Sequence, residues 1–198
     1  MRFGDYLERN LFQPLGMEDT AFFVPPEKAH RLCATFWKRP GLPDDLWIRP
    51  HLCCAITTER PAFESGGAGL YSTIGDYERF ARMLLNMGEL DGARVLQPKT
   101  VAWMTKHQLN VEQARLTDTW PYMGGFGYGK LMRVCLQPGA NAGLCCEGEY
   151  GWDGWLGTYF ANLPKERVTI LYMTSRLNDT PEDSGLIRRI RNTVIASL

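Results

Sequence analysis

Three kinds of residue in this chain could do chemistry, and spacing tests each of them. Six cysteines stand at Cys33, Cys53, Cys54, Cys135, Cys145 and Cys146. The two vicinal pairs match no zinc spacing of the Cys-x-x-Cys kind. Adjacent cysteines rarely bond each other, because the intervening peptide strains the ring. The pattern reads as small buried hydrophobes of a reducing compartment. A thiol–metal site between the pairs is the alternative, but His30, His51 and His107 approach neither pair at ligand spacing. No metal and no cofactor are expected. The histidines also have no acid or nucleophile beside them in sequence, so no catalytic role falls to them. The third kind is glycine. Gly66, Gly67 and Gly69 sit in Ser65-Gly-Gly-Ala-Gly-Leu-Tyr-Ser-Thr-Ile-Gly-Asp76. Such a loop allows conformations and close approaches that a Cβ forbids. Its plainer reading is a loop that leads into a surface helix.

The elements that must position these residues follow from pattern. Thr73 and Asp76 read as a capping-box-like helix start, with Asp in place of the usual Glu or Gln. Tyr77, Phe80, Ala81, Leu84 and Leu85 continue it at helical spacing to about residue 87. Residues 3–12 predict an amphipathic helix with Phe3, Tyr6, Leu7 and Leu11 on one face, ended by Pro14 and Gly16. Residues 20–50 are rich in proline and aromatics and read as an irregular excursion, with a helical turn near residues 27–31. Residues 88–94 predict a tight turn around Asp91-Gly92. Pro98 opens another helix to about residue 107, and residues 108–124 read as a loop.

The period then changes. Residues 126–135 are strand-like, and residues 136–148 are irregular. Residues 149–152, 158–163 and 168–174 predict three successive strands. Thr180 as N-cap, Pro181 and the acids after it open a closing helix. Its apolar face is Leu186, Ile187, Ile190, Val194 and Ile195. Helices, then antiparallel strands, then a returning helix indicate an α+β fold. The expectation is a single domain over residues 1–198. Its first part, 1–124, is mainly helical or irregular, and 125–198 holds sheet strands and the C-terminal helix.

Three blocks carry a family resemblance. They are Pro14-Leu-Gly-Met17 within residues 5–20, the Gly-Gly-x-Gly-Leu-Tyr-Ser-Thr run of residues 66–73, and Tyr150-Gly-Trp-Asp-Gly-Trp-Leu-Gly-Thr-Tyr-Phe160. In this order they resemble the C-terminal half of the serine β-lactamase-related hydrolases. That family includes class C β-lactamases, lactamase-like esterases and DD-peptidases of penicillin-binding type. The resemblance implies the C-terminal part of a β-lactamase/transpeptidase-like fold, an antiparallel sheet flanked by helices. This chain would hold the last three strands and the terminal helix.

It also implies a cleft. The family's third motif, Lys-Thr-Gly in many members, falls here on Trp152-Asp153-Gly154. The Trp155 N–H would then be one oxyanion donor. Trp152, Asp153, Gly154, Gly67 and Tyr71 would lie against substrate, Tyr71 chiefly as a packing residue at the cleft edge. A Lys would bind the carboxylate of a β-lactam, and Trp152 cannot. Asp153 adds a negative charge nearby, so neutral ester or amide substrates are expected over penicillins.

Departures from the family pattern carry equal weight. Ser65, Ser72, Ser175, Ser184 and Ser197 all lack a Lys three residues later. The Tyr motif of the family is missing as well. The expectation is a fragment that begins after the second catalytic motif and is inactive by itself. The complete enzyme would act by acyl transfer on ester, amide or β-lactam bonds. Expected partners are that small-molecule substrate, a complementing N-terminal half, or a second copy joined through uncovered sheet surface. The alternative is a non-catalytic binding or scaffold protein that kept the fold remnant. A cysteine-based redox or metal protein rests on the thiols alone.

Composition excludes some classes. The formal net charge is zero, which gives no electrostatic case for nucleic acid or an anionic membrane surface. No apolar run reaches the roughly 18 residues of a membrane span. Cysteine usage favours the cytoplasm.

Overall fold

The computed structural model describes residues 1–38, 46–48, 58–117, 120, 123–177 and 181–198. His51, Cys53, Cys54 and the Thr180 cap lie outside them. The chain opens with a helical run in three parts: α1 (Phe3–Leu7), a π-helical turn (Glu8–Phe12) and α2 (Gln13–Leu15). Pro14 is tolerated in the first turn of α2, where no N–H is needed. Gly16 ends the run in the left-handed conformation, φ 64°, which costs glycine little. The predicted face is displaced. Phe3 and Tyr6 are exposed, and Phe12 and Leu15 are buried instead. The wide π turn inserts a residue into the 3.6 period and re-aims everything before it.

A 3₁₀ helix (Pro26–Arg31) occupies the predicted helical turn. The excursion beyond it is more regular than expected. β1 (Phe36–Lys38) and β2 (Leu46–Ile48) pair antiparallel. Helix α3 (Ile74–Leu85) begins where predicted, its Asp76 N–H donating to the Thr73 hydroxyl. The hairpin of β3 (Glu89–Leu90) and β4 (Ala93–Arg94) turns through Asp91 and Gly92, both at positive φ, as a primed two-residue turn demands. Then come α4 (Pro98–Met104) and α5 (Val111–Thr117). The latter stands where a loop was expected.

The predicted strand at 126–135 is two strands, β5 (Phe126–Tyr128) and β6 (Arg133–Cys135), paired antiparallel. Lys130 donates its N–H to the Met104 carbonyl and Leu131 takes positive φ, so the chain folds back there. Next are β7 (Tyr150–Asp153), β8 (Tyr159–Leu163) and β9 (Val168–Tyr172), then β10 (Arg176–Leu177), which runs parallel to β1, and α6 (Pro181–Ala196). The main sheet is antiparallel in the order β5-β6-β7-β8-β9. It therefore holds five strands where three were expected.

The alternation of β8 divides the interior. Phe160 faces a cluster with Ala81, Met83 and Leu84 of α3 and with Phe12 and Leu15. Tyr159, Ala161 and Leu163 face Ile187, Ile190, Val194 and Ile195 of α6. Leu186, placed on the apolar face by sequence, is exposed. One edge of the sheet is β9. A groove of about 820 Å³ lies beside it, lined by Ile74, Glu78 and Arg82 of α3 with Arg167, Thr169 and Leu171.

Candidate functional site

The third-motif residues lie on β7 and in the turn after it. β8 pairs with all four residues of β7, from Tyr150↔Asn162 to Asp153↔Tyr159. β6 pairs with the first two only, at Val134↔Tyr150 and Arg133↔Gly151. Trp152 and Asp153 thus form a half-edge with a strand on one side among the described residues. Rings cover what a strand does not. Tyr128 meets Trp152 edge-on at 5.3 Å and Trp120 lies tilted at 6.3 Å. Trp152 also packs on Met123, Phe126, Cys135 and Cys145.

Gly154 closes the hairpin. Its N–H donates to the Thr158 carbonyl at 2.8 Å, and its carbonyl accepts from Gly157 N–H. A Cβ at Gly154 would sit 2.0 Å from Thr158 Oγ1. The glycine is therefore required by its own turn, whatever lies in front of it. Trp155 projects from this turn, 67% exposed.

Asp153 corrects an expectation. It was expected to add negative charge to the site, but its Oδ2 accepts from Arg133 Nη1 at 2.7 Å, with Arg133 almost wholly buried. The Arg133 guanidinium also lies 5.1 Å over the Tyr159 ring. Burial works against that charge, and Asp153, Tyr159 and Glu149 outweigh it, so the Arg133 pKa rises. Farther in, Arg191 donates to both oxygens of the fully buried Glu149 at 2.9 and 3.0 Å. The Tyr159 hydroxyl donates to the same carboxylate at 3.3 Å, and burial pushes its pKa up. Two cations and two carboxylates thus run from the end of β7 to α6.

Sequence reasoning passed over Arg133, Glu149 and Arg191. One signal was available: Arg191 stands four residues after Ile187, on the apolar stripe of α6.

The Gly-rich loop is held elsewhere. Tyr71 forms a two-bond bridge with Ala21, at 3.1 and 2.8 Å. The Asp76 carboxylate does not reach back to Thr73, as a capping box would. Its Oδ2 accepts from Asp19 N–H at 2.7 Å and from the Thr20 hydroxyl at 2.8 Å, which also meets Ser72 Oγ at 2.8 Å. Arg79 donates to the Leu15 carbonyl. Two of the three blocks that carry the resemblance are therefore stitched to each other. The contacts seen gather Trp152, Asp153, Gly154 and Trp155 in one place and anchor Tyr71, with its loop glycine Gly67, to the N-terminal segment. Among the described residues no cluster of His, Cys, Asp and Glu could hold a metal, and no helix is long and apolar enough to cross a membrane.

Comparison with known proteins agrees with this geometry. The sequence profile of the family described as Beta-lactamase matches residues 1–195. Protein Rv1367c of Mycobacterium tuberculosis (strain ATCC 25618 / H37Rv) is 33% identical over 186 residues, covering 90% of this chain and 45% of that protein. Simvastatin synthase (LovD) from Aspergillus terreus superposes with a TM-score of 0.82 at 18% identity, over 98% of this chain and 50% of its own. EstCE1, a hydrolase with promiscuous acyltransferase activity, superposes with a TM-score of 0.74 at 19% identity, over 94% of this chain and 49% of its own. The last two show likeness of fold. The chain spans about half the length of the relatives it matches.

Proposed function

Because the chain belongs to the beta-lactamase family and has the C-terminal part of that fold, we propose that it forms one wall of the cleft of a serine hydrolase that works by acyl transfer. The observation that carries this reading is the half-edge of β7. Trp152 and Asp153 lie beyond the pairing of β6, and the turn that follows presents Trp155 outward. An acyl group laid along that edge would meet the Trp155 N–H. A donor aimed at the developing oxyanion typically accounts for about 10²–10³ in turnover.

Substrate choice follows from what stands at the motif. Trp152 offers a flat apolar surface in place of an ammonium, and Asp153 is neutralised by Arg133. Neutral esters or amides suit this wall better than the carboxylate of a penicillin. Gly67 and Tyr71 would serve the rim from the loop anchored at Ala21. The nucleophile, its Lys and the Tyr are absent from the sequence, so they would have to come from outside these 198 residues. The edge of β9 and the groove beside α3 are where such a segment could add its strands. By itself the chain would be inert.

The test mixes or co-expresses this chain with the Ser-x-x-Lys-bearing half of a relative. Expected is hydrolysis of a short nitrophenyl ester and labelling by a fluorophosphonate, with neither partner active alone. Trp155→Pro, which removes the N–H, should then lower turnover about 100-fold or more, and Trp155→Ala, which keeps it, should not. Equal loss in both variants would remove the oxyanion assignment. Turnover by the chain alone would overturn the reading. The alternative, a non-catalytic binding protein, is favoured by the missing nucleophile and expects no labelling in any mixture.

A further inference from the structure

We propose that Cys135 and Cys145 are a dithiol that closes reversibly to a disulfide, a modification site directly beneath Trp152. The two sulfurs are 3.5 Å apart, with Cys135 Sγ donating to Cys145 Sγ. A shift of about 1.5 Å, shared between two side chains, brings them to bonding distance. Neither thiol is placed by accident of a loose loop. Cys135 ends β6 and is buried, its N–H donating to the Glu149 carbonyl. Cys145 follows a segment pinned at several points: Asn141 Nδ2 to the Gly124 carbonyl, Gly143 N–H to Asn141 Oδ1, and Leu144 N–H to Asn192 Oδ1. Segment and strand are thus held face to face before any bond forms.

The geometry also selects the pair. Cys145 and Cys146 are adjacent in sequence but belong to different clusters. Cys145 packs with Cys135, Phe126, Met123 and Trp152, whereas Cys146 packs with the α6 cluster. The chemistry divides them too. The hydrogen bond from Cys135 holds the Cys145 pKa below the usual thiol value, with burial opposing it. Burial pushes Cys146 up to about 11. A half-buried thiol poised toward thiolate, next to a buried partner, is the arrangement of an attacking and a resolving cysteine.

A hydroperoxide is the oxidant this arrangement suits. The Cys145 thiol takes up one peroxide oxygen to become a sulfenic acid and releases one water or alcohol. The Cys135 sulfur then attacks the sulfenic sulfur, the S–S bond forms, and a second water leaves. Overall the two thiols lose two hydrogens and two electrons, and the peroxide is reduced. A dithiol reductant reverses the step. The bond would lock the 136–144 segment to β6 under the Trp152 ring.

The test uses the full chain with Cys33, Cys53 and Cys54 replaced by serine, treated with hydrogen peroxide, alkylated and weighed intact. Two of the three remaining thiols should be lost together and return with dithiothreitol. Cys146→Ser should leave that loss unchanged, and Cys135→Ser or Cys145→Ser should abolish it. A cross-link that maps to Cys146 would overturn the assignment. So would all three thiols surviving a dose that consumes exposed Cys33 in the unsubstituted chain.

Discussion

The two faces of the five-stranded sheet are closed by different physics. Toward α3, Phe160 and Tyr150 meet Met83, Leu84, Phe12 and Leu15 in an apolar layer. Its one deeply buried amide, Asn162, donates to the Ala81 carbonyl at 2.8 Å and to Tyr150 Oη at 3.1 Å and accepts from the Thr169 hydroxyl at 2.6 Å. Toward α6 a smaller apolar cluster shares the interface with Glu149, Arg191, Arg133 and Asp153. The first face is stabilised by area removed from water. The second is held by charges that must stay matched, because each has left its hydration behind. A face of the first kind tolerates repacking, and one of the second kind fixes which residues stand opposite each other.

The sharpest way to break that contrast is to remove one charge. Glu149→Ala leaves Arg191 buried without its carboxylate and should cost about 3–5 kcal/mol of unfolding free energy in a denaturant melt. Phe160→Ala on the opposite face should cost a similar 3–5 kcal/mol through the cavity it opens. The two must then part company. Replacing Glu149 by Leu together with Arg191 by Met should recover most of the first loss, since a buried pair is often near neutral against apolar residues of similar volume. If the double variant is no better than Glu149→Ala, the charges are not what closes that face.

Asn162→Ala should cost roughly 1–3 kcal/mol by leaving the Ala81 carbonyl and the Thr169 hydroxyl short of a partner. Thr73→Ala, which removes the cap of α3, should cost about 1 kcal/mol by the same melt.

The smallest effect lies at the surface and depends on acid. Asp19 is held at a pKa of about 2, against 3.8, by its hydrogen bonds from Arg31 and then Lys28. A depressed carboxyl pKa gives stability that is complete above the unfolded value and lost as pH falls through the folded one. A shallow loss between about pH 4 and pH 2 should therefore flatten in Arg31→Ala. Added salt should shrink it, because the group is exposed.

Legibility in the sequence follows the same division. The α3 face was readable because periodicity reports apolar burial. Tyr77, Ala81 and Leu84 fell where the 3.6 period put them, and so did Ile187, Ile190 and Val194 on the other helix. The charged network was not, since a strand arginine such as Arg133 has the same letter whether it is solvated or buried. Phe126–Cys135 was read as one strand because the fold-back at 129–132 carries a single glycine and an apolar residue, Leu131, in the left-handed region. The third motif was placed on its strand by type and spacing. What could not be read was that β6 stops two residues short of the end of β7, or that Asp153 would turn to Arg133. Both depend on contacts between segments about twenty residues apart in the chain.

The π turn at Glu8–Phe12 makes the N-terminal helix sensitive to length in a way no substitution reveals. Deleting one residue there, Asn10 for instance, would restore the ordinary pitch and rotate residues 3–7 by about 100° relative to the rest. Gly4 N–H would swing away from Glu64 Oε2, now 2.7 Å distant, and Asp5 away from Arg60. The segment before the Gly-rich loop would lose its mooring while every side chain around it stayed chemically intact. A single-codon deletion would act here as a change of phase, releasing a loop some fifty residues downstream.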